Sequence, residues 1–269
     1  MEDKLALTPV DPAATPAGLP PVAPVPDSVL FWEEARAWST ALPAPDDALA
    51  EEYAEFLASA GEDTDALVAA EAEGKMYLEH LTKSVPLPII NTWVVSAHGF
   101  DYNSAALGPG TIDDPEWKVE DPFARVSLRA AACRLGLWGN HGYEAVYALT
   151  FTDESGQRLD GGSSYTLTFV QAPPVGAFWS LTMYDVPNYY LVENPIGRYS
   201  ISDRTPGLAY AADRTLTITI SAAEPVDPAA RANWLPAPTG PFRPVLRMYM
   251  PGAPLLDGSY AFPAIRKVL

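Results

Sequence analysis

Two residues in the segment GNHGYEAVY, His141 and Glu144, have the types and the spacing for proton transfer near neutral pH. Gly139 and Gly142 flank the histidine and let backbone come close to a ligand. The competing reading makes His141 a turn residue, or one that binds the last carbonyls of a preceding helix. Tyr184, at the end of AFWSLTMYD, is the third candidate for chemistry. In an extended segment alternate residues face opposite ways. Trp179, Leu181 and Met183 then form one face, of ordinary core type, while Phe178, Ser180, Thr182 and Tyr184 mix rings with hydroxyls as ligand cavities do. Arg247 and Tyr249 share a face of PVLRMYM. A buried arginine in mid-strand needs a partner, and Asp185, Glu193 and Asp257 are the candidates.

The residues that would orient a ligand lie nearby. Asn194, Arg198 and Tyr199 fall in the turn-like NPIGRYS, and Asn233 and Trp234 precede a proline-rich loop. Trp179, Tyr189, Tyr190 and Trp234 would supply hydrophobic or sugar-stacking surface. Each has a structural alternative, because asparagines brace turns and arginine or tryptophan packs over prolines. Taken together they predict a small-molecule enzyme without a redox cofactor. Glu144 or His141 moves a proton, and Tyr184, Arg198 and Asn233 hold polar atoms, for hydrolysis or an isomerisation or cyclisation. The alternative is a non-catalytic module that binds carbohydrate or another small ligand, or serves assembly. In the enzyme reading Glu144, Tyr184, Arg198 and Asn233 converge on one concavity.

Other chemistries lack their signatures. There is no Gly-x-Ser-x-Gly elbow, zinc-helix His-Glu-x-x-His, P-loop or dinucleotide glycine pattern. The three histidines, His80, His98 and His141, are widely separated, so no metal centre and no cofactor is expected. A formal charge of −17 opposes binding to nucleic acid and to anionic membranes. The single cysteine, Cys133, allows no intrachain disulfide and is expected as a buried, inert thiol. The N-terminus begins with acids and lacks an apolar run, and no window is long enough to span a bilayer, so a cytoplasmic location is expected.

The elements that must position these residues change in type along the chain. Residues 1–26 read as a Pro/Ala-rich tail. Residues 27–120 read as a helical and irregular lead-in. One helix there carries Leu30, Phe31, Ala35 and Trp38 on a face. A second spans 46–61 with Leu49, Tyr53, Phe56 and Leu57, and a third buries Leu67, Ala70, Gly74, Tyr77 or Leu78, and Leu81. Asp121-Pro122 is an N-cap with proline at the first helical position. The helix that follows shows a stripe of Phe123, Val126, Ala130, Cys133 and Leu137. From Tyr143 the apolar period drops to two, and YEAVYALTFTD, SSYTLTFV, AFWSLTMYD, RTLTITIS and PVLRMYM read as strands without intervening helices. The predicted class is α+β, an antiparallel jelly-roll-like sandwich with an N-terminal helical layer, its domain being residues 121–269.

The stretches GQRLDGGSSYTLTF, PPVGAFWSLTMYD, NPIGRYSISDR, ANWLPAPTGPFRPVLRMYMP and LDGSYAFPAI, in this order, closely resemble the family known as domain of unknown function 1214. That family often forms the second half of longer proteins with a companion, domain of unknown function 1254. The resemblance is strong over residues 121–269 and looser over the helices of 28–83. It implies a jelly-roll sandwich beside helices, without a settled chemistry, and a carboxylate near Glu144 rather than a histidine. It also implies that a cavity otherwise covered by the companion domain is open here, or covered by the helices or by another subunit of a homo-oligomer.

Overall fold

The computed structural model describes residues 26–43, 58, 63–84, 87–98, 121–136 and 139–268. Residues 1–25 of the expected tail, the second helix at 46–61 apart from residue 58, all of 99–120, and Leu137 of the expected stripe lie outside these residues. The chain divides into two compact units, Met1–His80 and Leu81–Leu269.

In the first unit, α1 (Val29–Ala41) buries no residue fully. Leu30 is exposed, and Phe31, Ala35 and Trp38 are half-buried. The Trp32 indole donates to the Leu67 carbonyl of α2 (Thr64–Ser84) at 2.7 Å. On α2, Leu67, Leu78 and Leu81 are half-buried, whereas Ala70, Gly74 and Tyr77 are exposed, so only part of the expected stripe faces inward. Glu71 is buried and pairs with Lys75 one turn on.

The second unit contains two sheets and no closed barrel. The larger sheet has the order β1 (Ile89–Ile90), β2 (Trp93–Ser96), β3 (Ala145–Leu149), β9 (Phe242–Pro251), β5 (Val175–Asp185), β6 (Ser200–Ser202), with every neighbouring pair antiparallel. The smaller has the order β10 (Ile265–Lys267), β4 (Tyr165–Phe169), β7 (Leu216–Ser221), β8 (Trp234–Pro236). Its β7–β8 pair is parallel, made by the short crossover through α4 (Pro228–Ala232). Strands β1 and β2 extend the large sheet, so residues 89–96 belong to the sandwich and not to the lead-in.

Alternation explains the core. Val95, Ala148, Leu246, Leu181 and Ile201 form one row across five strands, and all are at most 3% exposed. The adjacent row is Val146, Met248 and Trp179. The small sheet turns Tyr165, Leu167, Phe169, Leu216, Ile218, Ile220 and Ile265 toward them, and the Phe169 and Trp179 rings meet at 5.2 Å. Each such aliphatic or aromatic side chain contributes about 1.5–3 kcal/mol by leaving water. The opposite alternates of β4 and β7 are threonines, with Thr168 and Thr217 hydroxyls 3.1 Å apart.

Helix α3 (Pro122–Leu135) starts as expected: the Asp121 carboxylate accepts from the Ala124 N–H at 2.6 Å, and proline occupies the first turn. Its buried side is not the expected stripe. Ser127, Ala131 and Ala132 are buried, whereas Phe123 and Val126 are exposed. Cys133 is exposed too, which corrects the expectation of a buried thiol. Among its described side chains the fully buried ones are all small. No described helix is long and apolar enough to cross a membrane.

Candidate functional site

The outer face of the large sheet gathers the polar and aromatic alternates. Register sets Phe178 and Ala145 beside Tyr249, Ser180 and Tyr147 beside Arg247, Thr182 and Leu149 beside Val245, and Tyr184 beside Arg243. Most of these residues are half-buried. Arg247 donates from Nη2 to the Tyr184 hydroxyl at 2.8 Å. Its Cζ also lies 5.5 Å from the Tyr184 ring centre and 6.0 Å from that of Tyr147. Arg243 stacks 3.8 Å over Tyr189, and the Phe151 ring centre is 5.5 Å from its Cζ. Phe178 and Tyr249 stack at 4.4 Å, and Arg204 covers Phe178 at 4.3 Å.

These arginines have no carboxylate partner among the described residues. The Nε of Arg243 is buried and has no hydrogen-bond acceptor. Burial holds the Arg243 guanidinium below its ordinary pKa; Tyr189 and Tyr184 oppose this, and Arg247 reinforces it. The carboxylates expected to pair with Arg247 do not do so, Glu193 being exposed and the other two otherwise held. Asp185 accepts from the Tyr190 N–H at 2.6 Å, and Asp257 from the Ser259 N–H at 2.8 Å. Burial likewise raises the Tyr147 phenol above its usual value, aided by Tyr249 and Glu144 and opposed by Arg247.

Glu144 stands at the end of this face. It is exposed, and its carboxylate accepts from the Asn140 amide at 3.3 Å. Asn140 in turn accepts from the Tyr147 hydroxyl at 2.9 Å. His141 stacks on Tyr143 at 5.6 Å, and its carbonyl takes the N–H groups of Glu144 and Ala145 in the turn entering β3. Glu144, Tyr147, Arg247 and Tyr184 thus form one connected series across β3, β9 and β5.

Arg198 and Asn233 lie elsewhere, so the expected four-residue convergence does not occur. Asn233 is buried at the α4–β8 junction. Its amide oxygen accepts from the Ala209 N–H at 2.8 Å, and its Nδ2 donates to Ala209 and Thr217 carbonyls at 2.7 and 2.9 Å. Arg198 donates to the carbonyls of Ala232 and Trp234, at 3.0 and 2.9 Å. Asn194 braces the preceding turn through the backbone of Val192 and Arg198. Trp234 is buried, its indole donating to the Ser221 carbonyl at 2.9 Å. Trp179 points into the core, as its alternation face implies. Tyr190 and Tyr199 are exposed, and Tyr189 covers Arg243. Sequence reasoning missed Arg243 and Tyr147. Both follow from a signal already in use, the alternation that places them beside Tyr184 and Arg247.

An open groove of about 1020 Å³ lies on the other side of the sandwich, along Thr168, Gln171, Tyr260, Phe262 and Arg266. None of the expected site residues lines it. Its charges and hydroxyls are already matched: Arg266 pairs with Glu154 at 3.0 Å, Thr168 with Thr217, and the Tyr260 hydroxyl with the Gln171 carbonyl. The arginine–tyrosine face is the stronger site because its cations are left without counter-charges. Among the described residues no group of three or more His, Cys, Asp or Glu side chains is arranged to hold a metal.

Fold and face together define a two-sheet α+β protein with a cationic, aromatic outer surface. Residues 144–253, in the C-terminal part, match the family model described as Protein of unknown function (DUF1214), in line with the resemblance read from the sequence. No curated protein matches the chain. Among solved structures, the VPA0106 protein from Vibrio parahaemolyticus is similar at 24% identity and a TM-score of 0.64, over 94% of this chain and 59% of that one. An uncharacterised protein from Burkholderia cenocepacia shows 13% identity and a TM-score of 0.30, over 75% of this chain and 51% of the other. The chain therefore spans less than two thirds of either structure, and the first likeness concerns fold alone.

Proposed function

We propose that this chain is a small-molecule-binding protein whose ligand lies on the outer face of the large sheet. The observation that carries the reading is the pair of half-buried arginines, Arg243 and Arg247, set among tyrosines without a carboxylate partner. Half-buried cations without counter-ions cost desolvation that a bound ligand offsets. Rings with a few placed polar groups are the usual composition of ligand sites.

A second reading adds turnover. Glu144 sits at the end of a hydrogen-bonded series through Asn140 and Tyr147 that leads beneath Arg247. In that reading Glu144, or His141 beside it, moves a proton for hydrolysis or isomerisation of a ligand held by Tyr184 and Arg247, without a cofactor. A jelly-roll connection of the sheets, a cytoplasmic location and self-association to cover the face belong to the same proposal. The net charge of −17 argues against nucleic acid and anionic membranes as partners.

Tyrosine-selective ¹³C labelling tests the site directly during titration with a mixed panel of aromatic and aliphatic fragments. Signals of Tyr147, Tyr184, Tyr189 and Tyr249 should move while those of the buried Tyr165 stay still. Shifts confined to Tyr260 would place the ligand in the opposite groove and refute the proposal.

A further inference from the structure

We infer that the ligand of the outer face is a small organic carboxylate, gripped by Arg243 and Arg247 on either side of the Tyr184 hydroxyl. The inference rests on the proposed binding face and names its ligand class.

The two arginines share one side of β9, four residues apart, which is roughly 13 Å along a strand. Their side chains are long enough to close much of that gap, and Tyr184 marks where they meet. It lies opposite Arg243 in register, yet its hydroxyl takes the hydrogen bond from Arg247. The chain has 34 acidic residues against 17 basic ones, and still no described carboxylate reaches either guanidinium. Asp185, the nearest in sequence to Tyr184, is held by the Tyr190 backbone and by Asn188. The two arginines also repel one another, and an anion between them removes that repulsion.

The donor set selects the kind of anion. Guanidinium has five N–H donors in a flat fork matched to a carboxylate, and among the described residues the one side-chain bond Arg247 makes goes to Tyr184. Phosphate sites usually add backbone N–H groups from a helix start or a glycine-rich loop. Here the backbone of β9 is committed to ladders on both sides, with β3 and β5. The rest of the face, with Val245, Leu149, Phe178 and Tyr249, suits an apolar body attached to the carboxylate.

The test is calorimetric titration of the full chain with three probes: benzoate, its neutral counterpart benzamide, and inorganic phosphate. Benzoate should bind at millimolar or lower concentration and at least about tenfold more tightly than the other two, which corresponds to about 1.4 kcal/mol. R243Q should remove that preference, bringing benzoate down to the affinity of benzamide for the same variant, and R243K, which keeps the charge and guards against a folding defect, should retain part of it. Equal binding of benzoate and benzamide, with both weakened by Y249A, would overturn the carboxylate inference and leave the binding face standing. Phosphate binding as tight as benzoate would overturn the carboxylate choice. Benzoate binding that ignores R243Q, R243K and Y249A, or no benzoate binding at millimolar concentration, would overturn the inference and the face together.

Discussion

Tyr184 and Arg247 sit on adjacent strands out of direct register, and the arginine reaches along the sheet to donate to the phenol at 2.8 Å. This diagonal bond is what holds the Arg247 head over the face. Tyr184→Phe removes the acceptor and keeps the ring. It should cost about 1 kcal/mol in urea unfolding, the usual net worth of one such bond. An unchanged midpoint would mean the bond contributes nothing in solution.

Phe178 and Trp179 are sequence neighbours with opposite fates. Trp179→Ala empties a core position against Phe169 and should cost about 3–5 kcal/mol. Phe178→Ala loses a half-buried stack on Tyr249 and should cost about 1 kcal/mol. Comparable losses in denaturant titration would contradict the assignment of the two faces.

Asn233→Ala strands three backbone groups, the Ala209 N–H and the Ala209 and Thr217 carbonyls. It should destabilise the protein by about 3 kcal/mol, while benzoate affinity per folded molecule stays as in the parent. A selective loss of ligand affinity with full stability would instead return Asn233 to the site.

Asp153 sets the acid limb of stability in its own hairpin. Burial acts to raise its carboxyl pKa, but the Ser155 hydroxyl and the N–H groups of Gln157 and Ser155 outweigh this, and the value ends below the ordinary one. A depressed folded value means the stabilisation is complete above the unfolded pKa of about 3.9 and disappears as pH falls through the lower folded value. Asp153→Asn should therefore cost about 2 kcal/mol at neutral pH, and the gap to the parent should narrow below about pH 4. A gap independent of pH, measured by urea midpoints, would rule out a role for the charge.

Gly161 lies against the loop after β8, where an added Cβ would come within 1.7 Å of the Pro238 carbonyl oxygen. Its N–H already bonds the Gly240 carbonyl at 3.0 Å. The backbone oxygen has nowhere to retreat, so Gly161→Ala should cost about 3 kcal/mol. Gly74→Ala, with open space around it, is the matched control in thermal melts.

The long strands β3, β4, β5, β7 and β9 were legible in the sequence because each alternates cleanly between a core residue and an outward one. The same alternation put Arg247 and Tyr249 on one face of their strand and Tyr184 on the ring-and-hydroxyl face of its own, and the pairing of β5 with β9 brings those two faces together. Strands β6, β8 and β10 were not legible. Each has three residues, too few to show a period, and β8 is fixed by a parallel pairing that depends on Asn233 and Arg198 rather than on its own pattern. The buried side of α3 does not follow from apolar spacing, because Phe123 and Val126 of the apolar stripe face outward while Ser127, Ala131 and Ala132 are buried. For the site, side-chain type alone could not tell a ligand-facing amide from one that braces backbone. Asn194, Arg198 and Asn233 are chemically suited to either task, and only the position of nearby carbonyls separates the two.

Strand β9 stands at the middle of the large sheet, between β3 and β5, although almost a hundred residues of chain separate it from β3. During synthesis the ribosome delivers β3 and β5 long before residues 242–251 emerge. Until then each offers a bare hydrogen-bonding edge toward the gap where β9 will insert. The chain order therefore predicts that the sheet is completed late, when its two-sided central strand pairs with both neighbours, and that the nascent chain is most exposed to mispairing just before that strand arrives. The arginine pair arrives with that same strand, so the cationic face and the closed sheet come into being in a single step.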